Sequence, residues 1–355
     1  MARSIPSDPG AGANSSVFVR PGRYCVPVSA VTGTETSPAE LLQAACGGDS
    51  RAFQALVAPH LRALHLHSYR MLGSYTEAED AVQETMLRAW QGLSGFEGRA
   101  PLRHWLYRIS TTTCLKMIRD RRREPATTAD VAWLQPYPDA LLSQLAGTGA
   151  DPAGIAEGRE SVALAFIAAL QLLPASQRAV LILRDVLAWP ARDVADLLDT
   201  SVAAVNSALQ RARSTLAAAN PAAAASRPLS RGEQLVLNAF MRAWQACDIP
   251  ALAALLRDDA TLTMPPQAIQ ITGRHPVADF FATVPAAGRL DLIRLVATRA
   301  NGHPSLAAYL PDDSTDDCRG YGIMVLTVAH GQIATITGFP DPGLFPIFAL
   351  PLTHH

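Results

Sequence analysis

The hydrophobic period of the sequence changes near Leu229, and a chain that switches period in this way cannot be built from one kind of layer. Before that point apolar residues recur at helical spacing: Phe53, Leu56, Val57 and Leu61, then Ala81, Val82, Met86 and Ala89, then Leu102, Trp105, Leu106 and Ile109. After it, an amphipathic helix (Leu235, Val236, Phe240, Trp244) and a second over 251–256 lead into strand-like runs. These fall at 260–264, 290–298, 305–310, 321–328 and 332–337, bounded by Gly, Pro and Asp. Helices first and strands later predict all-α units followed by an α+β domain. A length of 355 residues accommodates two or three such units.

Composition divides the helical part. A first unit covers 36–124. The segment 125–160 has the Pro, Ala, Gly and Thr content of a linker, broken by the cluster Trp133-Leu134-Gln135-Pro136-Tyr137-Pro138. Helical spacing resumes over 161–219, and an Ala- and Pro-rich stretch at 220–228 joins it to the last domain, 229–350. Residues 1–35 lack a basic segment followed by an apolar one, so they predict a disordered N-terminal extension of a cytoplasmic protein and not a secretion leader. No run approaches the roughly 18 apolar residues of a membrane span. The five cysteines are scattered and never spaced CxxC, so neither a disulfide framework nor a metal site is expected, and no cofactor is implied.

The net charge is −1, but phosphate binding depends on clustering and not on the total. Lys116, Arg119, Arg121, Arg122 and Arg123 lie close together, and Arg211 and Arg213 close a later helix. That helix belongs to a helix-turn-helix pattern from Pro190 to Leu216. Val194, Leu197 and Leu198 supply the inner face of its first helix. Ser201 N-caps the second, whose core side is Val202, Val205, Leu209, Ala212 and Leu216. The opposite face carries Ala203, Ser207, Gln210, Arg211 and Ser214, the side-chain types that read base edges in a major groove. A plain helical hairpin with a solvated face fits the same pattern.

Two further stretches carry a resemblance. At Glu77-Ala78-Glu79-Asp80-Ala81-Val82-Gln83-Glu84-Thr85, and from Phe96 to Arg123, the chain resembles region 2 of the extracytoplasmic-function sigma factors of bacterial RNA polymerase. Those proteins carry a D-A-E-D-x-V-Q-E-T segment and a W-L-x-R-I helix ending in arginines. Glu77 replaces the usual Asp. Leu173-Pro174-Ala175-Ser176-Gln177-Arg178 and Thr200-Ser201-Val202-Ala203-Ala204-Val205-Asn206-Ser207-Ala208-Leu209-Gln210-Arg211 resemble region 4 in the expected order.

The resemblance implies that Glu77, Glu79, Asp80, Gln83 and Glu84 grip the clamp of the polymerase β′ subunit and that region 4 meets the β flap. Read alone, that charge run is also an ordinary solvated helix face. The loop 93–99 with Phe96, and the residues Arg103, Trp105, Arg108, Thr112, Arg119 and Arg122, are implied to open the minus-10 element of promoter DNA. A base gains roughly 1–3 kcal/mol by stacking on an aromatic ring. Phe96 equally fits a core position. Ser201, Asn206, Ser207, Gln210, Arg211 and Arg213 are implied to read the minus-35 element. Thr112 stands where Asn is common, and Asn206 and Ala208 where basic residues are common, so minus-10 preference should differ and minus-35 binding should be weaker.

Residues 229–350 resemble the SnoaL-like branch of the nuclear-transport-factor-2 cone fold, on the helical start, Asp258-Asp259-Ala260-Thr261-Leu262 and Met264-Pro265-Pro266. With the Trp133 cluster, the whole resembles the sigma-G type of actinobacteria. The added domain is expected to control the sigma core by docking near the linker through Trp133 and Tyr137, and to hold a packed core or a small apolar ligand. The alternative is a ligand-metabolising isomerase or cyclase fused to a DNA-binding region, with Asp259 and His275 as candidates by position; the turn residues His303 and His330 are expected to be exposed. No catalytic residue is assigned.

Overall fold

A computed structural model describes residues 37–98, 100–121, 134–143, 163–219, 230–312 and 317–354. The extension 1–35, Arg122, Trp133, the stretch 220–228 and most of 125–160 lie outside the described residues.

The first helical group starts on local caps. Ser37 and Glu40 form a capping box for α1 (Pro38–Cys46), and Asp49 caps α2 (Ser50–Val57). Helix α3 (Leu61–Leu72) stops at Gly73, whose φ of 79° suits a residue without Cβ. It is the hub, packed by α4 (Tyr75–Gly92) and α5 (Leu102–Arg121). Its buried residues include His67, Ser68 and Arg70, so polar groups inside must find partners. His67 Nε2 meets Thr111 Oγ1 at 2.9 Å, and Ser68 Oγ meets Ser110 Oγ at 3.1 Å.

After the short α6 (Asp139–Ser143), the second group comprises α7 (Leu164–Gln171), α8 (Ala175–Leu181), a π-helical turn at Ile182–Val186, α9 (Ala191–Leu197) and α10 (Val202–Ala219). Helices α7 and α8 touch α3, and one hydrophobic core runs through both groups. Buried Arg178 of α8 crosses the junction and donates to the Met71 carbonyl.

The C-terminal domain opens with α11 (Arg231–Gln245), started by the Ser230–Glu233 capping box, and α12 (Ile249–Leu255), capped by Asp248. The sheet order is β2-β1-β6-β5-β4-β3, with β7 beside β5. Its strands are β1 (Leu256–Thr263), β2 (Gln270–Thr272), β3 (Arg294–Ala300), β4 (His303–Pro311), β5 (Cys318–Ala329), β6 (Gln332–Phe339) and β7 (Thr353–His354). Only the β1–β6 pair is parallel among the described strands. Residues alternate between two buried faces. Leu306, Ala308, Met324, Leu326 and Ile336 pack under α11, α12 and α13 (Arg274–Thr283). Ala307, Tyr309, Ile323 and Val325 point the other way, onto α14 (Leu344–Ile347), Leu134 and Leu164.

Three expectations need correction. The strand placed at 290–298 begins only at Arg294, because Leu290–Leu292 forms a 3-10 turn. Strands β2 and β7 were not anticipated, since three and two residues are too few to show alternation. Val202, placed in the core of its helix, is 43% exposed, because the first residue of α10 overhangs the turn.

Candidate polymerase and promoter interfaces

Helix α4 carries the acidic surface. Ser74 caps it by accepting from Glu77 N at 3.3 Å. Asp80 and Gln83 are exposed, and Glu79 and Glu84 are half-buried, Glu84 accepting from Arg88 Nε at 2.7 Å. Glu77 departs from the expected arrangement: it turns toward α5 and pairs with Arg121. Burial raises its pKa against the opposing pull of Arg121. The exposed stripe continues at helical spacing through Leu87, 58% exposed, and Trp90, 36% exposed. These two apolar residues were missed. Their signal was their place one and two turns beyond Gln83 on the same face.

The loop after α4 sets Phe96 against Trp105 with ring centroids 5.1 Å apart, both half-buried. Arg103, Arg108, Thr112 and Arg119 are exposed on α5. The Arg103 guanidinium lies over the Tyr107 ring at 5.8 Å, and the Thr112 hydroxyl is turned back onto the Arg108 carbonyl at 2.9 Å. The Phe96 loop and the first part of α5 face the helix-turn-helix unit across a cleft of about 630 Å³, with Phe96, His104 and Arg108 on one wall and Trp189, Asp193 and Asp196 on the other. Trp189, 4% exposed, stacks on His104 at 4.1 Å and 25°.

On α10, Val205, Leu209 and Ala212 are buried, while Ser201, Asn206, Ser207, Gln210 and Arg211 are exposed. Ser201 Oγ accepts from Ala204 N at 3.1 Å, which fixes the start of the helix. Arg213 is already committed: its Nε and Nη2 donate to the two Asp185 oxygens at 2.9 and 2.7 Å. That fork ties the helix to the π-helical turn and leaves Arg211 as the more available of the two cations.

The described part of the linker is a buried joint. Leu134, Gln135, Pro136, Tyr137 and Pro138 are all buried. Gln135 Oε1 accepts from Ser74 Oγ (2.8 Å), Thr76 N (3.1 Å) and Thr76 Oγ1 (3.0 Å), so the linker completes the N-terminus of α4, where backbone N–H groups lack helical partners. The same side chain donates to Asp341 Oδ2 at 3.4 Å. Asn301, at the β3–β4 turn, donates through Nδ2 to the Tyr69 hydroxyl at 2.9 Å and accepts from Tyr137 N at 2.7 Å. The Tyr69 hydroxyl donates in turn to the Gln135 carbonyl at 2.9 Å. Asp139 accepts from Gly302 N at 2.7 Å and from Arg299 Nε at 2.9 Å. His65, Tyr75 and Tyr69 ring Tyr137, and burial raises the Tyr137 phenol pKa. Gln135, Asn301, Asp139 and Asp341 were not foreseen as a group; only the Asn301-Gly302 turn dipeptide had a local signature.

Within the C-terminal domain a cavity of about 280 Å³ opens between the sheet and its helices. Asp259 and His275 do not line it: Asp259 is exposed and held by Arg257 at 2.8 Å, and His275 is exposed. The expectation for His303 is overturned. It is 4% exposed, because the turn that carries it plugs into the sigma core. His330 is exposed.

One chain thus carries an acidic and apolar helix face, a cationic helix with an aromatic pair at its start, and a helix-turn-helix. Family models for sigma-70 region 2, sigma-70 region 4 and a SnoaL-like domain match residues 56–124, 163–216 and 237–336. The chain is 42% identical over 322 residues to the ECF RNA polymerase sigma factor SigG of Mycobacterium tuberculosis, covering 84% of each. It is 32% identical over 194 residues to SigM of the same species, covering 55% of this chain and 90% of that one. The chain belongs to the ECF RNA polymerase sigma factors; it binds core RNA polymerase and directs promoter recognition and transcription initiation. The crystal structure of M. tuberculosis SigJ shares the fold, with a TM-score of 0.58 at 24% identity over 83% of this chain and 98% of that one. Among the described residues no helix is long and apolar enough to cross a membrane.

Proposed function

We propose that the C-terminal domain controls this sigma factor by holding its two DNA-binding regions and its polymerase-binding helix in a closed arrangement. The observation that carries the reading is Gln135, which completes the N-terminus of α4 while bonded to Asp341 of the C-terminal domain. Asp80, Gln83, Glu84, Leu87 and Trp90 form the face for the β′ clamp, the helix-turn-helix unit meets the β flap, Phe96, Arg103, Trp105 and Arg108 serve the minus-10 element, and Gln210 and Arg211 serve the minus-35 element. The two elements lie roughly 85 Å apart at about 3.4 Å per base pair. Surfaces joined by the Trp189–His104 stack at 4.1 Å cannot reach both, so promoter binding requires that stack to part. The chain acts in the cytoplasm, where its polymerase is, and its C-terminal domain works as a regulator with room for a small apolar ligand, not as an enzyme.

The test is transcription in vitro with core polymerase, comparing full-length protein with Asn301→Ala, which releases the domain joint. The variant should transcribe more at matched concentration; equal activity rules the mechanism out. Charge reversal at Asp80 and Glu84 should abolish copurification with core enzyme while DNA binding by the helix-turn-helix unit persists, and unchanged copurification would reassign that face.

A further inference from the structure

We propose that the C-terminal cavity takes a neutral two-ring hydrocarbon skeleton carrying one hydrogen-bond-accepting oxygen, and that the indole N–H of Trp244 anchors that oxygen. This rests on the ligand reading above and names the chemistry of the occupant. The volume sets the size: a dry cavity of roughly 150 Å³ holds one benzene ring, and this one measures about 280 Å³. The walls set the character. They include Leu262, Phe281, Ile293, Met324 and Ile336, and among the described residues no charged side chain lines the cavity, so an ionised ligand would lose its hydration without gaining a partner. Of the polar lining residues, Gln267 and Tyr321 are exposed at the rim.

Trp244 is different. It is 3% exposed and forms part of the wall, and its Nε1 has no hydrogen-bond partner among the described residues. A buried indole N–H usually finds an acceptor, and leaving it without one is costly. Phe240 and Phe281 pack on the ring with centroids 5.7 and 5.4 Å from its own, so it cannot swing to a distant partner without breaking that packing. A ketone or ether oxygen arriving with an apolar body supplies the missing acceptor. The apolar rim at Val284, 59% exposed, gives such a body a path inward.

The experiment is calorimetric titration of the full-length protein with 1-tetralone and with tetralin, which have the same ring skeleton with and without a carbonyl oxygen. Wild type should bind 1-tetralone roughly 3–10-fold more tightly than tetralin, the range expected of one hydrogen bond. Trp244→Phe keeps an aromatic wall and removes the donor, and it should bring the two affinities together. Ala308→Leu narrows the cavity and should abolish both. A tetralone preference that survives Trp244→Phe overturns the anchor, as does equal binding of the two probes to wild type. Binding that survives Ala308→Leu places the site elsewhere and overturns the proposal. If neither probe binds wild type, the ligand reading beneath it has failed.

Discussion

Arg211 stands on the exposed side of α10 without the carboxylate partner that holds Arg213. Arg211→Ala should cost about 1–3 kcal/mol at one minus-35 base pair and relax preference there, measured by binding to a set of single-base promoter variants. A uniform loss across all sequences would make Arg211 a phosphate contact. The buried histidines of α3 give a different expectation. Burial lowers His65 to about 4 and, with Arg70 adding repulsion, His67 to about 3. An unfolded histidine titrates near 6.5, so between these values the unfolded chain binds more protons and stability rises with pH. Stability is therefore complete above about pH 6.5 and should fall by about 1.4 kcal/mol per unit for each histidine as the pH drops toward 4. Urea midpoints across that range check it, and His67→Gln should flatten the slope. The exposure of Gln210 and Arg211 was legible in the sequence, because helical period assigns a face. The burial of His303 was not, because a turn dipeptide says where the chain reverses and nothing about what covers it.

At the scale of elements, α4 is a helix whose start is completed from outside. Ser74 caps it locally, and Gln135, far along the chain, adds an acceptor for three further donors at Ser74 and Thr76. Gln135→Ala should destabilise the region by about 1–3 kcal/mol and speed amide exchange in the first turn of α4. Gln135→Glu keeps the acceptor but loses the N–H that meets Asp341 and adds a like charge beside it. It should preserve α4 while loosening the C-terminal domain, seen as faster amide exchange at the Asn301–Gly302 turn. If both variants behave alike, capping and docking are not separable. The strands β4 and β5 were legible as apolar runs, and their continuity has a physical cause: α11–α13 cover one face and the sigma core with α14 covers the other. The Gln135 contact was illegible, since Gln in a Pro-rich segment has no period to reveal it.

For the whole molecule, the two sigma regions and the added domain close around one joint. Trp189→Ala should separate the helix-turn-helix unit from the His104 side of α5, raise the radius of gyration in solution scattering and increase transcription in the same direction as Asn301→Ala. Scattering profiles identical to wild type would show that the stack does not hold the regions together. The order of the units was legible from period and motif; their mutual packing was not, because it rests on pairs such as Tyr69 and Asn301, 232 residues apart in sequence. That separation also sets a schedule. At a synthesis rate of roughly 5–20 residues per second, Asn301 follows Tyr69 out of the ribosome by roughly 10–50 s. During each round of translation the nascent sigma regions are thus out of the ribosome before the Asn301 turn that bonds to Tyr69 has been made.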